Sequence, residues 1–247
     1  MSHIHIELNN VSFGYEPDKP VIKNVSLRAG EEESIGIIGA NGAGKSTLLK
    51  LLVGLCPGFS GSIRVEEIPV ERNTLPKIRE RCGYVFQDSD SQLFMPSVYE
   101  DVAFAPRNYG LPEEEVERRT IAALERVNIL HLKDKPVYRL SGGEKKLVSI
   151  ATILSMTPDI ILMDEPSTAL DLKNRRNLIN ILNSFDHLKI IASHDLDMIL
   201  ETCKRTILLS DGRVVADGNT REILGNERLM AENDLELPLS MQSKGVI

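Results

Sequence analysis

The sequence predicts an α/β fold built on a mainly parallel sheet, and three observations carry that expectation. A glycine-rich stretch, Gly39-Ala40-Asn41-Gly42-Ala43-Gly44-Lys45-Ser46-Thr47, lies between an apolar run (Ile35, Ile37, Ile38) and leucines at helical spacing (Leu48, Leu49, Leu51, Leu52), which places it at a strand-to-helix turn. A second apolar run, residues 160–163, ends on two acids, Asp164 and Glu165. Strand and helix patterns then alternate: Leu178, Ile179, Leu182 and Phe185 at helical spacing, a strand over 189–193 and another over 205–210.

The elements follow in chain order. Ile4, Ile6 and Leu8 alternate on one strand face, and Val11, Phe13 and Tyr15 on a further segment, so a small β-layer opens the fold. His3 and His5 share the other face of the first strand; without a third ligand they read as a solvated strand end rather than a metal site. Glu31-Glu32-Glu33 reads as a solvated turn. Gly58 and Ser60-Gly61-Ser62 precede Ile63, Val65, Ile68 and Val70, a strand pair that joins the β-layer, and a strand is expected over 82–86. From Ser97 to Ser155 the pattern is helical, with Glu113-Glu114-Glu115 after Pro112 as a helix start that suits the dipole. The tail from Asn226 is acidic, then polar, and reads as a short appended helix or a loose segment.

A chain of 247 residues, 42% hydrophobic, buries a substantial core. Its 29 Lys and Arg against 36 Asp and Glu leave a net charge of −7, which argues against a broad nucleic-acid surface. No apolar run approaches the roughly 18–20 residues that span a bilayer, and the N-terminus lacks a basic-then-apolar signal, so a cytosolic chain is expected. Cys56, Cys82 and Cys203 form no C-x-x-C pair and read as reduced thiols.

The G-x-x-x-x-G-K-S spacing is that of a P-loop. Glycines 39, 42 and 44 let backbone N–H groups point inward, and the following helix aims its positive end at the same phosphates. Lys45 carries the charge that reaches β- and γ-phosphates, and the Ser46 hydroxyl is placed to ligate Mg²⁺. Asp164 and Glu165, at the carboxyl end of a buried strand, form the Walker B pattern: Asp164 suits Mg²⁺, and Glu165 the water that attacks the γ-phosphate. Leu140-Ser141-Gly142-Gly143-Glu144 opens a helix with Leu147, Ala151 and Leu154 on one face, a second anion-binding terminus that one triphosphate in one chain does not need.

In this order the motifs resemble those of the ATP-binding-cassette (ABC) ATPases, whose LSGGQ signature stands here as Leu140-Ser141-Gly142-Gly143-Glu144. The resemblance covers nearly the whole chain. It implies a P-loop NTPase (RecA-like) core with an N-terminal antiparallel β-subdomain and an α-helical signature subdomain over about 88–157, within a domain of residues 1–225 followed by a short extension, 226–247. It further implies Tyr15 as the A-loop aromatic on adenine, Gln87 in the Q-loop, Ala169-Leu170-Asp171 as the D-loop and His194 in the switch segment. ATP contacts are then expected from Tyr15, Gly39, Asn41, Gly42, Ala43, Gly44, Lys45, Ser46 and Thr47, and, in a head-to-tail dimer, from Ser141, Gly142, Gly143 and Asp171 of the other copy. Mg²⁺ falls to Ser46, Gln87 and Asp164, and catalysis to Glu165 with His194, Gln87 and Lys45.

The segment Phe86-Gln87-Asp88-Ser89-Asp90-Ser91-Gln92-Leu93-Phe94, with Val98-Tyr99-Glu100-Asp101-Val102-Ala103-Phe104 after it, resembles the energy-coupling-factor branch, importers of cobalt, nickel or vitamins. That likeness implies an ATPase on the cytoplasmic face of the cell membrane, a second cassette (a copy or a paralogue), an integral membrane coupling subunit docked near Gln92, Leu93 and Phe94, and a substrate-binding membrane component. No nucleic acid is expected. A cytosolic ATP switch with regulatory or nucleic-acid-linked duties is the competing reading. Two positions depart from the family pattern: Glu144 replaces the signature Gln, and Leu147 stands where a basic residue is common.

Overall fold

Alternating apolar residues open the chain, and in the computed structural model, which describes residues 4–242, they form an antiparallel layer. Strand β1 (Ile4–Phe13) pairs along one edge with β2 (Ile22–Gly30). Strand β3 (Ser34–Ile38) and helix α1 (Lys45–Leu52) follow, and β4 (Ser60–Val65) then pairs with the other edge of β1 and with the short β5 (Ile68–Pro69). The two N-terminal segments are one strand as far as Phe13, and Tyr15 lies beyond its end. Leu8 and Val11 are three apart and would face opposite ways in a regular strand; register shifts on either side of Val11, with Asn10 at φ 47°, return both to the buried face. His5 corrects the sequence reading: it is buried and ion-paired with Glu66 rather than solvated. His3 lies outside the described residues.

The described residues divide into two units, one up to Ile78 together with those from His187 on, the other Arg79–Asp186. Helix α2 (Leu75–Arg81), which the sequence pattern did not suggest, leads to β6 (Cys82–Val85). Three helices of the second unit pack on one another: α3 (Val98–Asn108), α4 (Glu113–Arg126) and α5 (Gly142–Leu154). Then β7 (Ile160–Asp164) pairs parallel to β6, from Cys82 opposite Ile160 to Val85 opposite Met163, and α6 (Leu172–Asn183) follows. At the start of α4, Glu113 forms a surface ion pair with Arg107, and Glu115 pairs with Arg118 and Arg119.

The first unit resumes with β8 (Leu188–Ala192), α7 (Leu196–Thr202), β9 (Arg205–Ser210), β10 (Arg213–Asn219), α8 (Thr220–Leu224) and α9 (Glu227–Glu232). Strand β3 lies between β8 and β9 and parallel to both, and its continuous apolar run is buried throughout. The acidic turn before β3 is only partly solvated: Glu33 takes a 2.8 Å ion pair with Arg205, whose guanidinium also holds Asp217 of β10 at 2.7 Å. The three cysteines are free and buried. Burial pushes the Cys82 thiol up to about 12 and Cys203 to about 11, so neither is a thiolate at neutral pH. No helix among the described residues is long and apolar enough to cross a membrane.

Candidate nucleotide site

In the first unit β3 ends at Ile38 and the chain turns into α1 through Gly39 (φ 150°), Gly42 (φ 82°) and Gly44 (φ 104°). A Cβ on Gly39 would stand 2.2 Å from the Leu209 carbonyl oxygen on the neighbouring β9, so the turn is possible only with glycine there. Gly44 gives α1 no side-chain cap, and the hydrogen-bond ladder of a helix does not use the N–H groups of its first turn. Lys45 is buried and stretches across the loop, donating from Nζ to the carbonyls of Gly39 (2.7 Å) and Ala40 (3.2 Å). Its charge therefore lies inside the cradle. Asn41 and Gly42 are exposed at the loop tip, Ser46 is half-buried, and Ala43 and Thr47 are buried.

Tyr15 is 61% exposed, yet its hydroxyl is 3.2 Å from Thr47 Oγ1 and its ring meets Phe13 edge-on at 5.1 Å. The tether leaves an aromatic face open beside the P-loop helix, as a stacking platform needs. His194 follows β8, whose partner β3 feeds the P-loop; Ser193 N–H donates to the Ile37 carbonyl at 3.2 Å, and His194 is exposed just beyond.

In the second unit the parallel register of β6 and β7 puts Gln87 and the pair Asp164-Glu165 at the same strand ends. Asp164 is 1% exposed and accepts a 3.3 Å hydrogen bond from the Tyr84 hydroxyl. Tyr84 was not singled out in the sequence, because its partner lies eighty residues on. Glu165 is buried at φ 48°, a left-handed conformation that costs a non-glycine residue about 1–3 kcal/mol and that clusters at functional sites. Buried Lys146 donates to the carbonyls of Phe86 (2.9 Å) and Gln87 (2.7 Å). Desolvation pulls its ammonium below the usual lysine range, while Asp164, Asp88 and Glu165 act to hold the charge.

Ser141 caps α5. Its Oγ accepts from Glu144 N–H at 3.3 Å, and the Glu144 carboxylate accepts from Ser141 N–H at 2.7 Å while Lys135 Nζ sits 3.0 Å away. The Glu in place of Gln thus completes a capping box, and the Ser141 N–H holds its carboxyl below the ordinary range. A carboxyl lowered on folding stabilises at pH above its unfolded value, about 4.3, and that contribution fades as pH falls through the lower folded value. Glu144→Ala is expected to cost about 0.3–1.5 kcal/mol at pH 7 and to lose its effect in strong acid, read as shifts of the urea midpoint against pH. Leu147 is buried, so that position contributes packing rather than a charge.

Gly143 closes on the segment before α6: a Cβ there would lie 2.9 Å from the Ala169 carbonyl oxygen, where Ala169 itself has φ 67°. Asp171 caps α6, accepting from Asn174 N–H at 2.7 Å. Ser141, Gly142, Gly143, Ala169, Asp171 and Asn174 line an open depression of about 600 Å³. Leu93 is buried, whereas Phe94 is exposed and meets Phe104 edge-on at 4.8 Å beside a groove of about 220 Å³ that Tyr109, Arg79 and Asp101 also line.

The strand-to-helix phosphate loop with its buried lysine marks a P-loop nucleotide-binding protein. Residues 22–168 match the ABC transporter family, and the chain belongs to that family as its ATP-binding, ATP-hydrolysing cassette. It is 53% identical, over 98% of its length and 97% of the relative's, to GSU1281 of Geobacter sulfurreducens, named as an ABC transporter ATP-binding protein. It is 40% identical to the energy-coupling factor transporter ATP-binding protein EcfA of Methanothermobacter thermautotrophicus, over 94% of this chain and 76% of that one. The solved structure of cbiO1 from Clostridium perfringens, part of the ABC transporter complex cbiONQ, superposes with a TM-score of 0.80 at 35% identity, covering 96% of each chain.

Proposed function

We propose that this chain powers an importer of the energy-coupling-factor type, and that two cassettes close head to tail over two ATP molecules. The importer reading draws on the likeness to EcfA and cbiO1 over nearly the full chain and on the exposed Phe94 and Phe104 edge, which suits an apolar helix of a membrane coupling subunit. In that assembly the chain works on the cytoplasmic face, beside a copy or a paralogue, and a substrate-binding membrane component sets the cargo, cobalt or nickel ions or a vitamin.

One observation carries the pairing: Gly142. A Cβ there would meet only Ala169 Cβ, at an ordinary 3.6 Å, so packing within the chain does not call for glycine. Ser141, Gly142 and Gly143 line the open depression at the start of α5, a surface suited to the γ-phosphate held by a partner's P-loop. In this reading Lys45 and the P-loop N–H groups hold the β- and γ-phosphates, Tyr15 stacks on adenine, and Asp171 borders the partner's nucleotide. Glu165 takes the proton of the attacking water, and His194 and Gln87 orient the water and phosphate. Ser46, Gln87 and Asp164 offer hydroxyl, amide and carboxylate oxygens, the hard donor set that fits Mg²⁺. When bound, that ion supplies neutralising charge to the phosphates. Loss of the γ-phosphate removes the bridge between copies and lets them part.

Purification of the tagged chain from a detergent extract tests the importer reading. A polytopic membrane protein is expected with it, and a wholly soluble partner set would overturn the proposal. Tyr15→Ala is expected to weaken ATP binding by about 1–3 kcal/mol, the scale of base–aromatic stacking, while Tyr15→Phe keeps the ring and most of the affinity. Unchanged affinity in Tyr15→Ala, measured by nucleotide titration, would reduce Tyr15 to packing on Phe13.

A further inference from the structure

We infer that Lys146 and Gln92 are positioning residues that lock the Gln87 segment to helix α5, so that Gln87 and the Ser141 terminus move as one piece. The contacts lie within one unit and along one face of one helix. Lys146 Nζ donates to the carbonyls of Phe86 (2.9 Å) and Gln87 (2.7 Å). Three residues on, the Gln92 amide nitrogen donates to the Ser149 carbonyl (2.8 Å), and three further it donates to Thr152 Oγ1 (2.8 Å). The other end of that amide accepts from Phe86 N–H at 3.1 Å. Residues 146, 149 and 152 follow the i, i+3 row of a helix, so the segment 86–92 is tied at both ends to one ridge of α5. On the outer side Lys145 Nζ adds an ion pair with Asp90 at 2.5 Å.

The chemistry suits a rigid joint. Main-chain carbonyls just past a strand end have no ladder partner, and when buried they need a donor. Lys146, only 2% exposed, brings an ammonium to two of them at once, and hydrogen bonds to a charged donor are about twice as strong as neutral ones. Gln92 uses donor and acceptor together, so its amide cannot turn without breaking three contacts. A shift of Gln87 is therefore passed through Lys146 to the first turns of α5, whose start is the Ser141-Gly142-Gly143 terminus. Lys146 and Gln92 act through Gln87 and α5 and are given no contact with nucleotide. The inference rests on the reading of Gln87 and the Ser141 terminus as parts of one ATP-driven closure.

Hydrogen exchange followed by mass spectrometry on the full chain tests it, with Glu165→Gln as the parent so that Mg-ATP is not consumed. In the parent, ATP is expected to slow exchange over residues 39–47, 86–92 and 141–145. In Lys146→Met and Gln92→Met the slowing at 39–47 should persist, while that at 141–145 falls by about 5-fold or more, the scale of coupling between sites. Combining the two should add little to either alone, because both hold the same segment. Two variants that respond at 141–145 like the parent would overturn the inference. So would loss of the response at 39–47 in both, which would make the pair general determinants of the fold. A parent with no response at 141–145 would overturn the closure reading itself, and this inference with it.

Discussion

Glu165→Gln is expected to slow ATP turnover by about 10²–10⁴-fold, the scale of general-base assistance, with nucleotide affinity little changed. The Gln amide matches the carboxylate in shape but cannot accept the proton of the attacking water at neutral pH. The backbone strengthens the case. Glu165 sits in a buried left-handed conformation, directly after an acid that is 1% exposed. Such strain persists only where the surrounding structure over-determines it, and both variants carry it equally, so the substitution isolates the carboxylate. Phosphate release under single-turnover conditions, beside equilibrium ATP titration, separates the two quantities. Undiminished hydrolysis would remove Glu165 from the role of base.

The second large effect belongs to Gly39. Its added Cβ would lie 2.2 Å from a main-chain oxygen of β9, and the backbone of a strand held between parallel β3 and antiparallel β10 cannot give way as a side-chain end can. Overpacking of this kind costs about 1–3 kcal/mol or more, and an L-residue at positive φ adds about 1–2 kcal/mol. Against a total stability of roughly 5–15 kcal/mol, Gly39→Ala should lose a large part of the fold's margin and its ATP binding together. Gly42→Ala is the control, because Gly42 also has positive φ (82°) but has no atom within 4 Å of an added Cβ. It should pay only the backbone cost, about 1–2 kcal/mol. Denaturant midpoints and ATP titrations of the two variants give the comparison, and equal losses would refute the role assigned to the Leu209 contact.

The elements that could be read from the sequence were those with strong local pattern. The P-loop turn, the buried strand ending in Asp164, the capped start of α5 and the acidic start of α4 each carry their cause within a few neighbouring residues. The unread elements lack it. Strand β10 is an edge strand with four of its seven residues exposed and none buried, so its apolar period is faint, and α2 buries only Ile78. The bulge in β1 broke the alternation and made one strand look like two. His5 was read as solvated because Glu66, its partner, comes from another part of the chain.

The sequence alone determined the class of chemistry, because a phosphate cradle and a strand-end acid pair are specified by short-range spacing, backbone freedom at glycine and side-chain type. Tertiary structure alone decided how those groups are held. It set the Tyr84 hydroxyl on Asp164, the strained backbone of Glu165, the Lys146 and Gln92 links to α5, and the approach of Ala169 to Gly143 that shapes the open depression. Each of these joins residues distant along the chain, or imposes a conformation that local preference disfavours. Only long-range packing has the free energy to select them.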